Sequence, residues 1–395
     1  MTLIQEKLAQ AKRLLKEFDI DCWLTFVRES SLNGDPTLAY LVSANVTWHS
    51  AFLVTSSGAT KAIVGSLDKA TIDDLQAYDA VEGYVKSFKE PLQQFLRNHR
   101  PQKIAVNYST GSEVCDGLTH GMYLTLVDVL AEIGMADRIC SAEKIISALR
   151  QRKTDDEIAA MNEAIRVTLQ IYDEVKTQIK PGISEKQLAK FMQDRVHALG
   201  VGFAWDEGTC PSVFTGPDTA GAHYGPTDRP VQEGHVLNMD FGLRVKGYCS
   251  DLQRTWYVSK RGEKEVPLPV TKGFQTIRKS IEGARKQMRP GVKGVDIDAV
   301  SRSVIVQAGY EEFPHALGHQ VGRFAHDGTA LLGPAWEKYA QKPFEPLEEG
   351  MVFTLEPRLT VPEYGVVTIE EMVQVTSTGA KYLSSPQEEL FVIRA

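Results

Sequence analysis

Short apolar runs alternate with segments of helical spacing over the first 150 residues of the chain. The runs have the length of buried strands, while the segments between them repeat apolar positions every three to four residues. Ser57-Gly58 separates two of the runs and is typical of a hairpin turn, so we predict an α/β domain with a mixed sheet. The strand candidates are 22–27, 51–54, 62–65 and 103–107, and the helix candidates are 2–18, 91–98 and 122–133.

A domain boundary is predicted near Gln151, because one helical segment ends there and another begins. Thr154 and Glu157 have the spacing of a capping box, which would open a long amphipathic helix that runs to about Ile179. A chain of 395 residues also exceeds what one hydrophobic core usually organises. We therefore predict two domains, residues 1–151 and residues 152–395.

The second predicted domain contains a degenerate internal repeat. Each copy has a basic residue, Pro and Gly before a helix, and the helix ends at a second Gly 18 residues after the first. Each copy then has a Glu-Gly pair and an apolar strand that ends in an acid, six residues after the glycine. Two equal spacings in the same order predict two halves related by a pseudo-two-fold. The equivalent positions are Gly182 and Gly291, Gly200 and Gly309, Gly234 and Gly350, and Asp240 and Glu356.

Acidic residues close the apolar strands of both copies. Asp240 and Glu356 lie in strand-like sequence, where an acid is costly to bury unless it is paired or bound to a cation. Each is followed by a hairpin-like segment that returns with a further acid. That acid is Asp251 in the first half, and Glu370 or Glu371 in the second. The repeat predicts that these acids meet where the two halves meet.

A histidine-rich segment, HALGHQVGRFAHDG, supplies imidazole to the same domain through His315, His319 or His326. Carboxylates with one imidazole and no thiolate suit hard or borderline divalent ions such as Mn, Co, Fe or Zn. Bridging carboxylates would hold two such ions ~3.5–4 Å apart, the arrangement that activates water in hydrolysis. The sequence therefore predicts a two-metal hydrolytic site.

Composition and charge narrow the choice of partners. The chain has 43% hydrophobic and 24% charged residues, which is typical of a globular protein. A net charge of -7 without a basic cluster argues against nucleic acid, and no stretch reaches the ~18 apolar residues that span a membrane. The five cysteines contain no CxxC pair, which argues against a disulfide framework and a thiolate zinc site. We expect a cytoplasmic protein without nucleic-acid or membrane partners.

The second domain resembles the pita-bread fold of the superfamily that contains methionine aminopeptidase, aminopeptidase P and prolidase. The strings MDFG, GYCSD, GH, TLEP and IEE match the five metal ligands of that family in order and spacing. The resemblance implies that Asp240 binds one ion, that Asp251 and Glu370 bridge both ions, and that His319 and Glu356 complete the second. It implies two divalent ions per chain, with Mn first and Co or Zn as alternatives.

The resemblance extends to residues beside the substrate. His223, in GAHYGPTDRP, matches a histidine on the leaving-group side, and His326 matches one that contacts the scissile amide. We expect a hydroxide that bridges the ions to attack the scissile carbonyl, Glu356 to shuttle the proton, and His326 to stabilise the tetrahedral intermediate. The ring nitrogen of proline carries no N–H, so its subsite must recognise shape. His223, His315 and Phe214 are the expected walls of that subsite.

Two departures from the family pattern affect the supporting residues. Relatives commonly have EPG followed by a tyrosine, whereas this chain has EPRLT, which places Arg358 at the glycine and Thr360 at the tyrosine. Thr368 replaces an arginine that relatives usually have two residues before the last ligand. These differences predict a different supporting network around the ligands. Arg358 is also a candidate cation for the free carboxylate of a dipeptide.

The resemblance covers the whole chain, because residues 1–151 are similar to the creatinase-like N-terminal domain of prolidases and aminopeptidase P. Methionine aminopeptidases lack that domain, and creatinase lacks the full metal set. The resemblance therefore implies a homodimeric Xaa-Pro dipeptidase, or prolidase, that acts on short proline-containing peptides. The alternatives are an Xaa-Pro aminopeptidase for longer peptides, a non-catalytic pita-bread protein that binds a peptide or protein, and a hydrolase or lyase of a non-peptide small molecule.

Overall fold

The apolar runs of the first unit, Met1–Arg150, form one sheet in the computed structural model, which describes residues 2–217 and 225–394. The second unit is Gln151–Ala395. The elements of the first unit are α1 Leu3–Glu17, β1 Cys22–Val27, α2 Leu38–Leu41, β2 Ser50–Thr55, β3 Thr60–Gly65, α3 Lys69–Asp73, β4 Ala80–Tyr84, α4 Lys89–His99, β5 Ile104–Val106, α5 His120–Ala131, β6 Ile139–Ser141 and α6 Glu143–Gln151, whose last residue falls in the second unit.

The sheet of the first unit has the strand order β4-β3-β2-β1-β5-β6. Strand β2 is antiparallel to both β1 and β3, while the other neighbours are parallel, so the sheet is mixed, as predicted. Side chains of β1 alternate between two cores: Trp23 and Val27 pack with α1 and α6, whereas Leu24 and Phe26 pack with α4 and α5. Burial on both faces explains why the strands are continuous apolar runs.

The second unit begins with the predicted long helix. Thr154 and Glu157 form the capping box, in which each side chain bonds the backbone N–H of the other. The helix ends at Lys176 and not near Ile179, because Thr177 caps it and the chain then turns toward Pro181. The elements of this unit are α7 Asp155–Lys176, α8 Glu185–Leu199, β7 Gly202–Phe203, β8 Ser212–Thr215, β9 Val236–Phe241, β10 Leu243–Val245, β11 Tyr248–Cys249, β12 Leu252–Val258, α9 Leu268–Gln287, α10 Gly294–Gln307, β13 Gly318–His319, β14 Leu331–Leu332, β15 Val352–Leu355, β16 Arg358–Val361, β17 Gly365–Thr368, β18 Glu371–Val375, β19 Ala380–Tyr382 and β20 Phe391–Ile393.

The internal repeat recurs in the backbone of this unit. Gly182 and Gly291, the glycines before α8 and α10, have φ values of 89° and 87°. Their N–H groups donate to carbonyls at equivalent places, those of Val231 and Leu347, at 2.9 and 2.8 Å. Strands β9 and β15 then begin two residues after glycines with φ of 83° and 89°. The two copies therefore repeat the same turns before each acid-bearing strand.

The sheets of the second unit pack against helices on apolar faces. Strands β20-β12-β9-β8 form one sheet, and β15-β18-β19 form another. Helix α9 places Ile277 and Ile281, one turn apart, in a core that includes Phe353 of β15 and Val373 of β18. Within the part of the chain that is described, no helix combines the length and apolar character needed to cross a membrane.

Candidate metal centre

Four acids lie at the ends of paired strands and converge. Asp240 is near the end of β9, and Asp251 directly precedes β12, the antiparallel partner of β9. Glu356 directly follows β15, and Glu370 directly precedes β18, the antiparallel partner of β15. A backbone bridge between Gln253 and Glu370 joins the two strand pairs. The same arrangement in both halves therefore brings two acids from each half to one place.

His319 reaches this place because β13 lies close to β15. A Cβ atom on Gly318 would lie 1.9 Å from the carbonyl oxygen of Thr354, so only glycine allows this approach. The His319 N–H donates to Thr354 Oγ1 at 3.1 Å. The His319 Nε2 atom is then 3.4 Å from Glu356 Oε1 and 3.7 Å from Asp251 Oδ2.

Three of these side chains can offer ligand atoms to one cation. Ligand atoms of Asp251, His319 and Glu370 all lie within 4.8 Å of one another, a cluster found among the described residues. Two buried oxygens, Asp240 Oδ1 and Glu370 Oε2, have no hydrogen-bond partner within residues 2–217 and 225–394. Buried carboxylate oxygens without donors are costly, and a bound divalent cation would satisfy them. The donor set fits a divalent metal site.

Burial and mutual repulsion dominate the electrostatics of the centre. Burial raises the pKa of Asp240 to about 7, and burial with the neighbouring charge of Asp240 raises that of Glu356 to about 8. Burial, then nearby carboxylates, raises the pKa of Asp251 and Glu370 well above the usual range. Burial also lowers the pKa of His319 to about 3, which keeps its imidazole neutral and able to bind metal.

These shifts predict that the metal-free protein loses stability as pH rises. A carboxyl with a folded-state pKa above its unfolded value stabilises the fold below the unfolded value and loses that effect as pH rises through the folded value. For Asp240 and Glu356 this window extends from about 4 to about 8. In chelator, the thermal midpoint of wild type should be lower at pH 8 than at pH 5. This fall should be smaller in the double variant Asp240→Asn/Glu356→Gln, and it should also be smaller in wild type when Mn²⁺ replaces the chelator. An equal decline in wild type and the double variant would contradict this expectation.

The structure separates Glu371 from Glu370. The Glu371 carboxylate accepts from Arg254 at 3.2 Å, from Ser384 Oγ at 2.5 Å and from the Gln387 N–H at 2.8 Å. Successive residues of a strand point to opposite faces, so Glu371 points away from the acid cluster. Glu371 therefore acts in a buried ion pair.

The predicted substrate-side histidines have different surroundings. The His326 ring lies 4.1 Å from the His319 ring, edge to face at 89°. The His315 Nδ1 atom lies 2.8 Å from the carbonyl oxygen of Ala316, and burial lowers the pKa of His315 to about 4. His223 lies outside the described residues. His326 is thus next to a candidate ligand, while His315 is a partly buried, neutral ring.

Phe214 and Arg358, the other predicted substrate contacts, lie on strands of the same unit. Phe214 is buried on β8 opposite Asn238, two residues before Asp240. Arg358 opens β16, is half-buried, and pairs across the strands with Thr368. Burial lowers the Arg358 pKa, and its guanidinium has no hydrogen-bond or ion-pair partner within the described part of the chain. A half-buried cation without an anion is a candidate anion-binding group.

Two supporting residues were missed by sequence reasoning. Asp298 and Arg302, one turn apart on α10, form a buried ion pair. Arg302 donates to the carbonyls of Phe313 and His315 at 2.6 and 2.9 Å, and Asp298 accepts from the Leu317 N–H at 3.0 Å. The pair therefore fixes the segment that leads into His319. The four-residue Asp-Arg spacing on a helix was the only signal in the sequence.

Gln253 was also missed, although its side chain lies among the acids. It stands opposite Asp240 in the pairing of β12 with β9. The Gln253 Nε2 atom lies 3.5 Å from Asp240 Oδ2 and 3.4 Å from Glu356 Oε2. The strand register could have identified it, since cross-strand partners share a face.

Comparison with known proteins adds a family and a fold. Residues 159–377 match the family described as Metallopeptidase family M24. The Xaa-Pro dipeptidase of Pyrococcus furiosus is 26% identical over 275 residues, which are 69% of this chain and 74% of that protein. Alignments with two Bacillus subtilis relatives cover 66% and 73% of those proteins. The relatives therefore match over about two thirds to three quarters of their length.

Solved structures resemble the chain over nearly all of its length. The X-Pro aminopeptidase from Thermotoga maritima has a TM-score of 0.73 at 23% identity and covers 98% of this chain and 99% of its own. The Xaa-Pro dipeptidase from Bacillus anthracis also has a TM-score of 0.73 at 23% identity and covers 99% of this chain and 100% of its own. The likeness confirms the predicted fold class, and an aminopeptidase and a dipeptidase share it equally.

Proposed function

The chain belongs to metallopeptidase family M24, and on that premise we propose that it is a Xaa-Pro dipeptidase that requires two divalent metal ions. The convergence of four carboxylates and one neutral imidazole carries the proposal. The name of the Pyrococcus furiosus relative, a Xaa-Pro dipeptidase, supports the choice of substrate.

The ions would be held by Asp240, Asp251, His319, Glu356 and Glu370. Four oxygen donors and one imidazole favour Mn²⁺, with Co²⁺ or Zn²⁺ as alternatives. When bound, the ions would lower the pKa of a water molecule and polarise the scissile carbonyl. The buried oxygens of Asp240 and Glu370 that lack donors among the described residues support this ligand set.

Glu356 is the residue that we propose to move the proton. Its Oε1 atom lies 3.3 Å from Thr354 Oγ1 and its Oε2 atom 3.4 Å from Gln253 Nε2, so both oxygens have neighbours that can orient them. The carboxylate would take a proton from the attacking water and give it to the leaving nitrogen of proline. That nitrogen needs the proton, because it leaves as a secondary amine.

His326 would stabilise the charge that develops on the scissile carbonyl oxygen. Other side chains would form the walls around the proline ring. The contact of His326 with the His319 ring, at 4.1 Å, supports a position beside the metal centre. A preorganised donor at such a position stabilises an oxyanion. Phe214 is buried and His315 is partly buried, so both side chains could serve as walls. His223 is proposed for the leaving-group side on its sequence motif alone.

The proposal is tested by hydrolysis and metal content together. Protein loaded with Mn²⁺ should cleave Ala-Pro and leave Ala-Ala intact. His326→Ala should keep about two metal ions per chain, because His326 is proposed to contact substrate and no ion, while kcat falls roughly 100-fold. Wild-type protein that binds no metal would reject the proposed function, and loss of metal in His326→Ala would reassign that histidine as a ligand.

A further inference from the structure

Gln253 contacts the candidate ligands through both its side chain and its backbone. The side chain is 6% exposed, and its Nε2 atom lies between Asp240 Oδ2 and Glu356 Oε2, at 3.5 and 3.4 Å. Its backbone bonds Glu370 in both directions, at 3.4 and 3.2 Å. One residue therefore touches three of the five candidate ligands.

Thr368 holds the far end of that amide. The Thr368 Oγ1 hydroxyl donates to Gln253 Oε1 at 3.0 Å, and the Thr368 side chain is buried. The Thr368 carbonyl accepts from Asn238 Nδ2 at 3.0 Å and from Thr255 Oγ1 at 2.5 Å. Because its backbone is fixed by two buried donors, Thr368 presents its hydroxyl to Gln253 from a defined position.

The chemistry of the neighbours fixes which way the amide faces. A glutamine amide can be turned so that its oxygen and nitrogen exchange places, and its hydrogen-bond partners decide between the two. When Asp240 and Glu356 are ionised, as metal binding requires, an amide oxygen facing them would be repelled, whereas an amide nitrogen has one N–H for each of them. The nitrogen must then face Asp240 and Glu356, so the oxygen faces Thr368 and needs the hydroxyl as its donor.

We propose that Gln253 and Thr368 are a positioning pair for the metal centre, in which Thr368 orients the Gln253 amide and the amide holds Asp240 and Glu356 in place for the cation. This inference rests on the proposed function, because it assumes that these carboxylates bind metal. It also gives a role to Thr368, which replaces an arginine of the family pattern, in the supporting network that the sequence predicts. The amide is a neutral donor that tethers one acid from each half of the repeat.

The test is the affinity of metal-free protein for Mn²⁺ alone, measured by titration calorimetry. Thr368→Val keeps the shape and removes the hydroxyl, so its dissociation constant should rise roughly tenfold, the size usual for a residue that orients metal ligands. Thr368→Ser keeps the hydroxyl and should stay close to wild type. Thr360→Val is the matched control, because it is the same change from threonine to valine at an exposed position of the neighbouring strand β16.

A double-variant comparison tests whether Thr368 acts through Gln253. Gln253→Met removes the amide at similar size, so adding Thr368→Val to it should weaken Mn²⁺ binding no further. An additional tenfold loss in the double variant would overturn the pairing. If Gln253→Met does not fold, the comparison of Thr368→Val with Thr368→Ser and Thr360→Val decides alone.

Failure of this inference is distinguishable from failure of the proposed function. Wild-type binding of Mn²⁺ with equal binding by Thr368→Val would overturn the positioning role and leave the function standing. Wild-type protein that binds none of Mn²⁺, Co²⁺ and Zn²⁺ would overturn both. The metal-free Thr368→Val protein should have a lower thermal midpoint than wild type, because the buried Gln253 oxygen loses its donor. The weaker affinity should therefore be measured at a temperature where both proteins are fully folded, and equal affinity of the two folded proteins would overturn the positioning role.

Discussion

Asp251→Ala is expected to abolish peptide hydrolysis and to remove most of the bound metal. Asp251 Oδ2 lies 3.7 Å from His319 Nε2. Ligand atoms of Asp251, His319 and Glu370 all lie within 4.8 Å of one another. A metal ion supplies several kcal/mol of transition-state stabilisation, and a loss of about 4 kcal/mol corresponds to a roughly 10³-fold fall in kcat/KM. The measurements are metal per chain after gel filtration and kcat/KM for Ala-Pro.

Two controls separate ligand loss from unfolding. Asp251→Ala removes a carboxyl whose ionisation is opposed by burial and by the charges of Asp240 and Glu356, so the metal-free variant should be no less stable than wild type near neutral pH. Glu371→Gln changes the acid that follows the candidate ligand Glu370 and pairs with Arg254. This variant should retain about two ions per chain despite a less stable fold. Retained metal in Asp251→Ala, with loss in Glu371→Gln, would reverse the ligand assignment.

Local signals in the sequence were sufficient for much of the fold. The capping box at Thr154 and the turn at Ser57-Gly58 depend on neighbouring residues, so their spacing identified a helix start and a hairpin. The end of α7 was harder to predict, because an apolar pattern continues to Ile179 while the Thr177 cap ends the helix at Lys176. Helix ends depend on such caps more than on the apolar pattern.

The candidate site could be predicted in part because the chain repeats itself. Equal spacings put Asp240 and Glu356 at equivalent strand ends, and this symmetry drew attention to them. Gln253 could not be found in the same way, because its role depends on Thr368, which is 115 residues away and on another strand pair. Partners so distant in sequence meet through tertiary packing, and neither residue has a motif of its own.

Arg358 has the surroundings expected of a group that binds an anion. Its side chain is half-buried, burial lowers its pKa, and no acid or hydrogen-bond acceptor pairs with it in the described portion of the chain. A half-buried cation without a partner has lost part of its hydration, so an anionic ligand would be favourable there. Its cross-strand partner Thr368 bonds Gln253, which in turn contacts two candidate ligands, so Arg358 lies on the strand pair next to the metal centre.

The consequence that we expect is selectivity for dipeptides. A dipeptide ending in proline has its free carboxylate one residue beyond the scissile bond, where Arg358 would bind it through charge-assisted hydrogen bonds. Such bonds contribute about 1.5–3 kcal/mol, so Arg358→Ala should raise the KM for Ala-Pro roughly 10–100-fold. Wild type should cleave Ala-Pro much faster than Ala-Pro-Ala, and the exposed Arg289→Ala serves as the control. Rapid cleavage of Ala-Pro-Ala by wild type would instead indicate an aminopeptidase, and an unchanged KM in Arg358→Ala would remove Arg358 from the substrate site.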